Sequence, residues 1–158
     1  MMQEAVFYPP RQRGLAFHLA AIAVFVIAGG LTLVLAGRVR EGPTFLIYLL
    51  IFLILVFPIP FLAYRGYALV RSAYVLEREG IRLQWGFRAE DIPMPDVKWV
   101  NRARDLNRAP PLPVFRWPGA LIGRRHATGF GPIEYIAAEA ADLILISTPE
   151  RIYAISPE

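Results

Sequence analysis

Cysteine is absent from this chain, which removes disulfides, thiolate nucleophiles, iron–sulfur clusters and zinc ribbons together. Histidine is nearly absent. His18 and His126 are the only two, they stand far apart without clustered carboxylates, and no metal-binding set is spelled out. There is no Gly-x-Ser-x-Gly elbow and no glycine-rich phosphate loop, and a serine nucleophile would need one of those two histidines as its base. Glu90-Asp91 is the nearest approach to an acid pair, but neighbours on an extended segment point to opposite faces and read as a solvated strand end. No enzyme activity, cofactor, metal or small-molecule substrate is therefore expected. Charge is scarce as well: 19% of residues are charged and 56% apolar, too oily for a wholly soluble globule or a disordered chain. The net excess is only +4, and Arg65 to Glu158 holds thirteen basic against eleven acidic residues, so nucleic acid is not an expected partner.

What the chain does have is two long apolar runs. Leu15 to Ala36 carries no formal charge and would extend roughly 33 Å as a helix, enough to cross a hydrocarbon core. Phe45 to Tyr64 is likewise uncharged, its apolar pattern broken by Pro58 and Pro60, where missing backbone donors should kink or interrupt the helix. The sequence thus predicts a transmembrane helical hairpin over 15–70, with spans at about 15–36 and 45–64, after an N-terminal arm at 1–14. The first run is too long for a cleaved signal segment. Ala16, Ala20, Ala23, Ala28, Gly29 and Gly30 offer small surfaces for close packing against the second span. Neither run contains Asp, Glu, Lys or Arg, which disfavours a transport pathway, and His18 reads as an interfacial residue. The Gly37–Thr44 connection is short, so both termini fall on one side. Arg11, Arg13, Arg65 and Arg71 flank that side against Arg38 and Arg40 in the hairpin loop, and the positive-inside rule makes it cytoplasmic.

From about residue 71 the pattern changes to short β-branched and aromatic runs punctuated by Gly and Pro. Tyr74–Leu76 and Ile81–Phe87 flank a turn at which Gly80 is expected to adopt positive φ. A short edge strand near Ile92 is broken by Pro93 and Pro95, and Val97–Val100, Ile133–Ala137, Leu143–Ser147 and Arg151–Ile155 follow. The last two turn at Thr148-Pro149-Glu150. Six or seven strands, mostly antiparallel and in meander order, are predicted for 71–158. An irregular, proline-rich insertion occupies about 104–132.

Two apolar spans followed by Tyr74-Val75-Leu76, Gly80-Ile81, Trp85-Gly86, Ile92-Pro93 with Val97 beyond, and a closing Arg151-Ile152-Tyr153-Ala154-Ile155-Ser156-Pro157 resemble the bacterial pleckstrin-homology (PH)-like domain family. The resemblance implies a bent β-barrel closed by a C-terminal helix, and a binding or scaffolding role without enzyme activity. The phosphoinositide loop of eukaryotic relatives has no counterpart in the short Glu77-Arg78-Glu79 turn. Because Glu158 directly follows Ser156-Pro157, a plausible N-cap and first helical position, the capping helix is expected to be absent. The expected fold class is an α+β membrane protein: a two-helix transmembrane hairpin, then a mostly antiparallel PH-like β-barrel.

One basic cluster has aromatic company. Arg116, Trp117, Arg124, Arg125 and Phe130 are the candidate lipid- or partner-facing residues, since indole rings favour the membrane interface and guanidinium groups fork onto phosphates. A Trp117 packed in the core beside solvated arginines is the blander alternative. Val114, Phe115, Trp117, Leu121 and Ile122 are expected to cover part of the barrel. The resulting expectation is a multi-pass inner-membrane (plasma-membrane) protein whose domain is an interaction or scaffolding module, an accessory subunit of a larger membrane complex, with the lipid bilayer and a membrane protein or a second copy as partners. The alternative is a sensor of anionic lipid headgroups.

Overall fold

No proline interrupts the apolar run after Gln12, and it forms one continuous helix, α1 (Gln12–Val39). The second run is divided. Helix α2 (Pro43–Val56) begins on a proline, whose missing donor costs nothing in a first turn, and α3 (Pro58–Val70) follows after Phe57 alone. Phe57 keeps helical backbone angles and donates its N–H to the Leu53 carbonyl at 3.0 Å, but Pro58 and Pro60 have no N–H to continue the ladder. The helix also runs past Tyr64, because Arg65 lays its guanidinium over the Phe61 ring at 5.0 Å and a snorkelling cation need not end an apolar helix.

The structure is a computed structural model and describes residues 5–39, 41–106 and 109–158. Residues 1–4 of the expected arm, Arg40 of the hairpin loop and residues 107–108 of the insertion lie outside the described residues. The chain divides into two units, Ala16–Gly66 and the remainder. Within the first, Gly29 faces Phe52 and Val56 of α2, where an added Cβ would lie 3.6 and 3.7 Å from their side chains, whereas Gly30 meets nothing. His18 is buried beside Gly66. Gln12–Val39 and Pro43–Val70 are both long and apolar enough to cross a membrane, and only 11% and 6% of their most apolar stretches is buried, unlike core helices of a soluble protein.

The second unit holds two sheets. Strands β1 (Ala5–Phe7), β2 (Ala73–Leu76), β3 (Gly80–Trp85) and β4 (Arg88–Pro93) form an antiparallel sheet in chain order. In it Ala5, Val6 and Phe7 pair with Leu76, Val75 and Tyr74. Strands β5 (Trp99–Arg102), β6 (Leu121–Ala127), β7 (Gly131–Ala137), β8 (Ile144–Ser147) and β9 (Ile152–Ile155) form the other, in the order β5-β8-β9-β7-β6. The main core lies between the sheets: Tyr74, Leu83, Trp85 and Ile92 meet Ile136, Ile146, Tyr153 and Ile155, together with Ala68 and Leu69 of α3. A second core covers the other face of the five-stranded sheet, where Trp99, Ala103, Leu106, Leu112 and Phe130 pack on Ile133, Tyr135, Leu145 and Ala154.

Several expectations change. The sheets do not close into a barrel among the described residues, because the chain leaves β4 through Pro93 and a 3₁₀ turn at Met94–Asp96 instead of bending as one strand into the next sheet. Among the described residues of 71–158 eight strands replace six or seven, and a further strand, β1, lies in the expected arm. Meander order fails at β9, whose four buried residues take the sheet interior between β7, which it meets in parallel, and β8. The insertion is not irregular throughout: β6 and the start of β7 lie inside 104–132. Gly80 does not adopt positive φ; it is small because an added Cβ would fall 2.4 Å from the Ile92 carbonyl oxygen. The Ser156 Oγ accepts the Ala138 N–H at 2.8 Å.

Candidate functional site

The five residues picked from the sequence do not form one patch. Arg124 and Arg125 are neighbours on β6 and project to opposite faces, opposite Glu134 and Ile133 respectively. Arg124 turns toward the main core, and its Nε donates to Glu134 Oε1 at 3.3 Å. Arg125 lies on the outer face near Tyr135. Burial pushes the Tyr135 hydroxyl up to about 12, with the Arg125 charge opposing, and it donates to the Pro111 carbonyl at 2.8 Å. Phe130 is half-buried against the second core. Val114, Phe115 and Arg116 are exposed and cover no core, while Leu121 is buried and Ile122 packs on the main core. Leu106 and Leu112, rather than Val114 and Phe115, pack on the second core.

Trp117 opens a turn closed by backbone bonds with Ala120. This turn seats against the helix ends: a Cβ added at Gly119 would fall 2.6 Å from the Gly14 Cα and 2.9 Å from Leu69 Cδ2. Gly119 also has φ +75°, a left-handed conformation that favours glycine.

The sequence reading missed Glu134. It is 2% exposed in the middle of β7, yet three guanidinium groups engage it. Arg88 and Arg124 both donate to Oε1, and Arg151 donates to Oε2 at 2.8 Å. Burial pushes the Glu134 carboxyl up, but the hydrogen bonds from Arg151, Arg88 and Arg124 outweigh it and hold the group below its ordinary range. Arg151 is correspondingly raised, chiefly by its hydrogen bond to Glu134. A second ring of acids completes the cluster, Glu90 on Arg88 at 2.6 Å and Glu150 on Arg151 at 3.3 Å. A carboxylate held ionised among matched charges suits it to pinning β4, β6, β7 and the turn before β9 together. The available signal was a lone acid inside the apolar run Ile133–Ala137.

An apolar cleft of about 250 Å³ opens between the sheets, lined by Phe7, Tyr74, Leu76, Ile81, Ile146 and Pro157 among others. Tyr74 crosses the domain behind it, donating its hydroxyl to the Ile136 carbonyl at 2.8 Å. Among the described residues no cluster of His, Asp or Glu could hold a metal ion.

Two facing, mostly antiparallel sheets with an apolar cleft define a small β-sheet domain in a chain that also has two long apolar helices. The chain belongs to the bacterial PH domain family, whose model matches residues 72–158, more than half of its length. No curated protein and no solved structure matches it. PH-like domains are generally binding modules rather than catalysts. The matched range begins at Ser72 and leaves out β1.

Proposed function

We propose that this chain is a membrane-anchored interaction or scaffolding module of the bacterial plasma membrane. In this reading α1 and the α2–α3 pair each cross the bilayer, the Gly37–Thr44 connection lies outside, and the PH-like domain and both termini are cytoplasmic. The observation that carries it is the pairing of β1 with β2. The chain entering α1 and the chain leaving α3 are strands of one sheet, which requires an even number of crossings. Arg11, Arg13 and Arg71 stand on the domain side, in keeping with the positive-inside rule. The apolar cleft between the sheets supports a protein partner, and with it the role of an accessory subunit in a membrane complex.

A second reading, a sensor of anionic headgroups, is supported by Arg116 and Trp117 on the turn beside Gly14. Arg124 serves that reading poorly because Glu134 engages it.

Single cysteines in this cysteine-free chain test the topology. Thr44→Cys should react with an impermeant maleimide in intact cells, and the exposed Thr128→Cys only after lysis. The reverse pattern would invert the orientation, and release of the chain by alkaline carbonate would remove the anchor altogether.

A further inference from the structure

Two loops far apart in sequence converge on the ends of the helices and leave large apolar side chains outside both cores. The β3–β4 turn places Gly86 at φ +61° and presents Phe87, which is 78% exposed. Its ring lies 5.4 Å from that of Tyr67, in the last turns of α3, and the Arg71 guanidinium stands over the other partner, Tyr67, at 5.8 Å. The second loop carries Val114 and Phe115, 70% and 87% exposed, then Arg116 and the Trp117 turn seated against Gly14 and Leu69.

We propose that Phe87 and the Val114–Trp117 loop form an aromatic platform that enters the headgroup–acyl boundary of the bilayer beside the helix ends. The proposal rests on the membrane reading above and adds a second contact to it. Helix length supports the lipid as occupant. α1 has 28 residues, roughly 42 Å at 1.5 Å per residue against a hydrocarbon core of about 30 Å, so its first turn, where Gly14 meets Gly119, falls in the headgroup layer. Composition agrees, since exposed rings flanked by Arg71 and Arg116 suit an interface that is apolar on one side and anionic on the other. The bilayer would thereby hold the domain in one orientation, with the cleft between the sheets at a fixed height above the lipid.

The test uses the full chain in nanodiscs of phosphatidylcholine and phosphatidylglycerol, which leave both faces open to solutes. An environment-sensitive fluorophore is placed on Phe87→Cys, Phe115→Cys, Thr128→Cys or Leu50→Cys. Labels at 87 and 115 should be quenched by nitroxide-bearing lipid and several-fold less by iodide than the label at 128. Iodide quenching at 87 and 115 equal to that at 128 overturns the platform. Protection from both quenchers also overturns it, because a protein then covers the loops. Leu50 separates the two failures: a label there that lipid nitroxide does not reach removes the membrane reading itself. Should Phe87→Cys disturb folding, Phe87→Trp read against Phe87→Leu gives the same comparison through indole emission, which should shift blue on nanodisc assembly only if position 87 enters lipid.

Discussion

Glu134 is held by guanidinium groups of unequal exposure, and the inequality ranks their worth. Arg124 is 67% exposed and reaches the carboxylate at 3.3 Å, whereas Arg151 is 27% exposed and reaches it at 2.8 Å. Arg124→Ala should therefore cost under about 1 kcal/mol, as exposed pairs do, and Arg151→Ala distinctly more. Removing the acid itself, Glu134→Ala, leaves three cations facing one another beside an apolar core and should cost about 2 kcal/mol, between the exposed and fully buried cases. Thermal unfolding of the three variants checks the order. The pH dependence has a definite sign. The native carboxyl pKa is lowered, so its contribution is complete above the ordinary carboxylate value of about 4.3 and is lost as pH falls through the native value. The gap in melting temperature between the native chain and Glu134→Gln should be constant near neutrality and close on acidification. The lone acid in Ile133–Ala137 was visible but its partners were not, because they lie on two other strands and in the turn before β9; Arg124 drew attention through its neighbour Arg125, which faces the opposite way.

At the scale of elements, the close approach of Gly14 and Gly119 ties the insertion to the first turn of α1. Gly119→Ala meets both a left-handed backbone and a Cβ at 2.6 Å from another main chain, and should destabilise the domain by roughly 1–3 kcal/mol, measurable as a lowered melting temperature. Tyr74→Phe removes the side-chain hydrogen bond from β2 to the Ile136 carbonyl of β7 and should cost about 1 kcal/mol. Which elements could be read from the chain follows from their chemistry. β3, β8 and β9 are apolar or alternating, as strands with buried faces must be, and β2 and β7 were found for the same reason. β1 is three residues long ahead of two prolines, too short to show a period. β6 was missed because Gly123-Arg124-Arg125-His126 presents the ion cluster on one face and solvent on the other, so an edge strand carries no apolar alternation. The turn at Thr148-Pro149-Glu150 was legible, and the Thr148 N–H donates to the Arg151 carbonyl at 2.9 Å.

For the whole molecule, the domain recognised by the family is smaller than the domain that packs. Residues 72–158 lack β1, Pro9 and Arg11, whose guanidinium donates to the Ser72 carbonyl. Replacing residues 16–66 with a short Gly/Ser linker should leave β2 as protected from amide exchange as in the full chain, whereas residues 72–158 alone should exchange faster at Tyr74–Leu76, now an open edge. The arm looked like a tail because nothing local distinguishes Ala5–Phe7 from one; its partner lies beyond both helices. That separation also orders the protein's birth. Ala5–Phe7 is synthesised before both helices yet can find its place only after the helix pair and Tyr74–Leu76 have followed. With the helices in a bilayer as proposed, a first helix threaded the wrong way would strand β1 on the far side and leave that sheet edge bare. Under that proposal the β1–β2 ladder can be completed only in a chain whose helices have both been inserted, so the ladder would report on insertion.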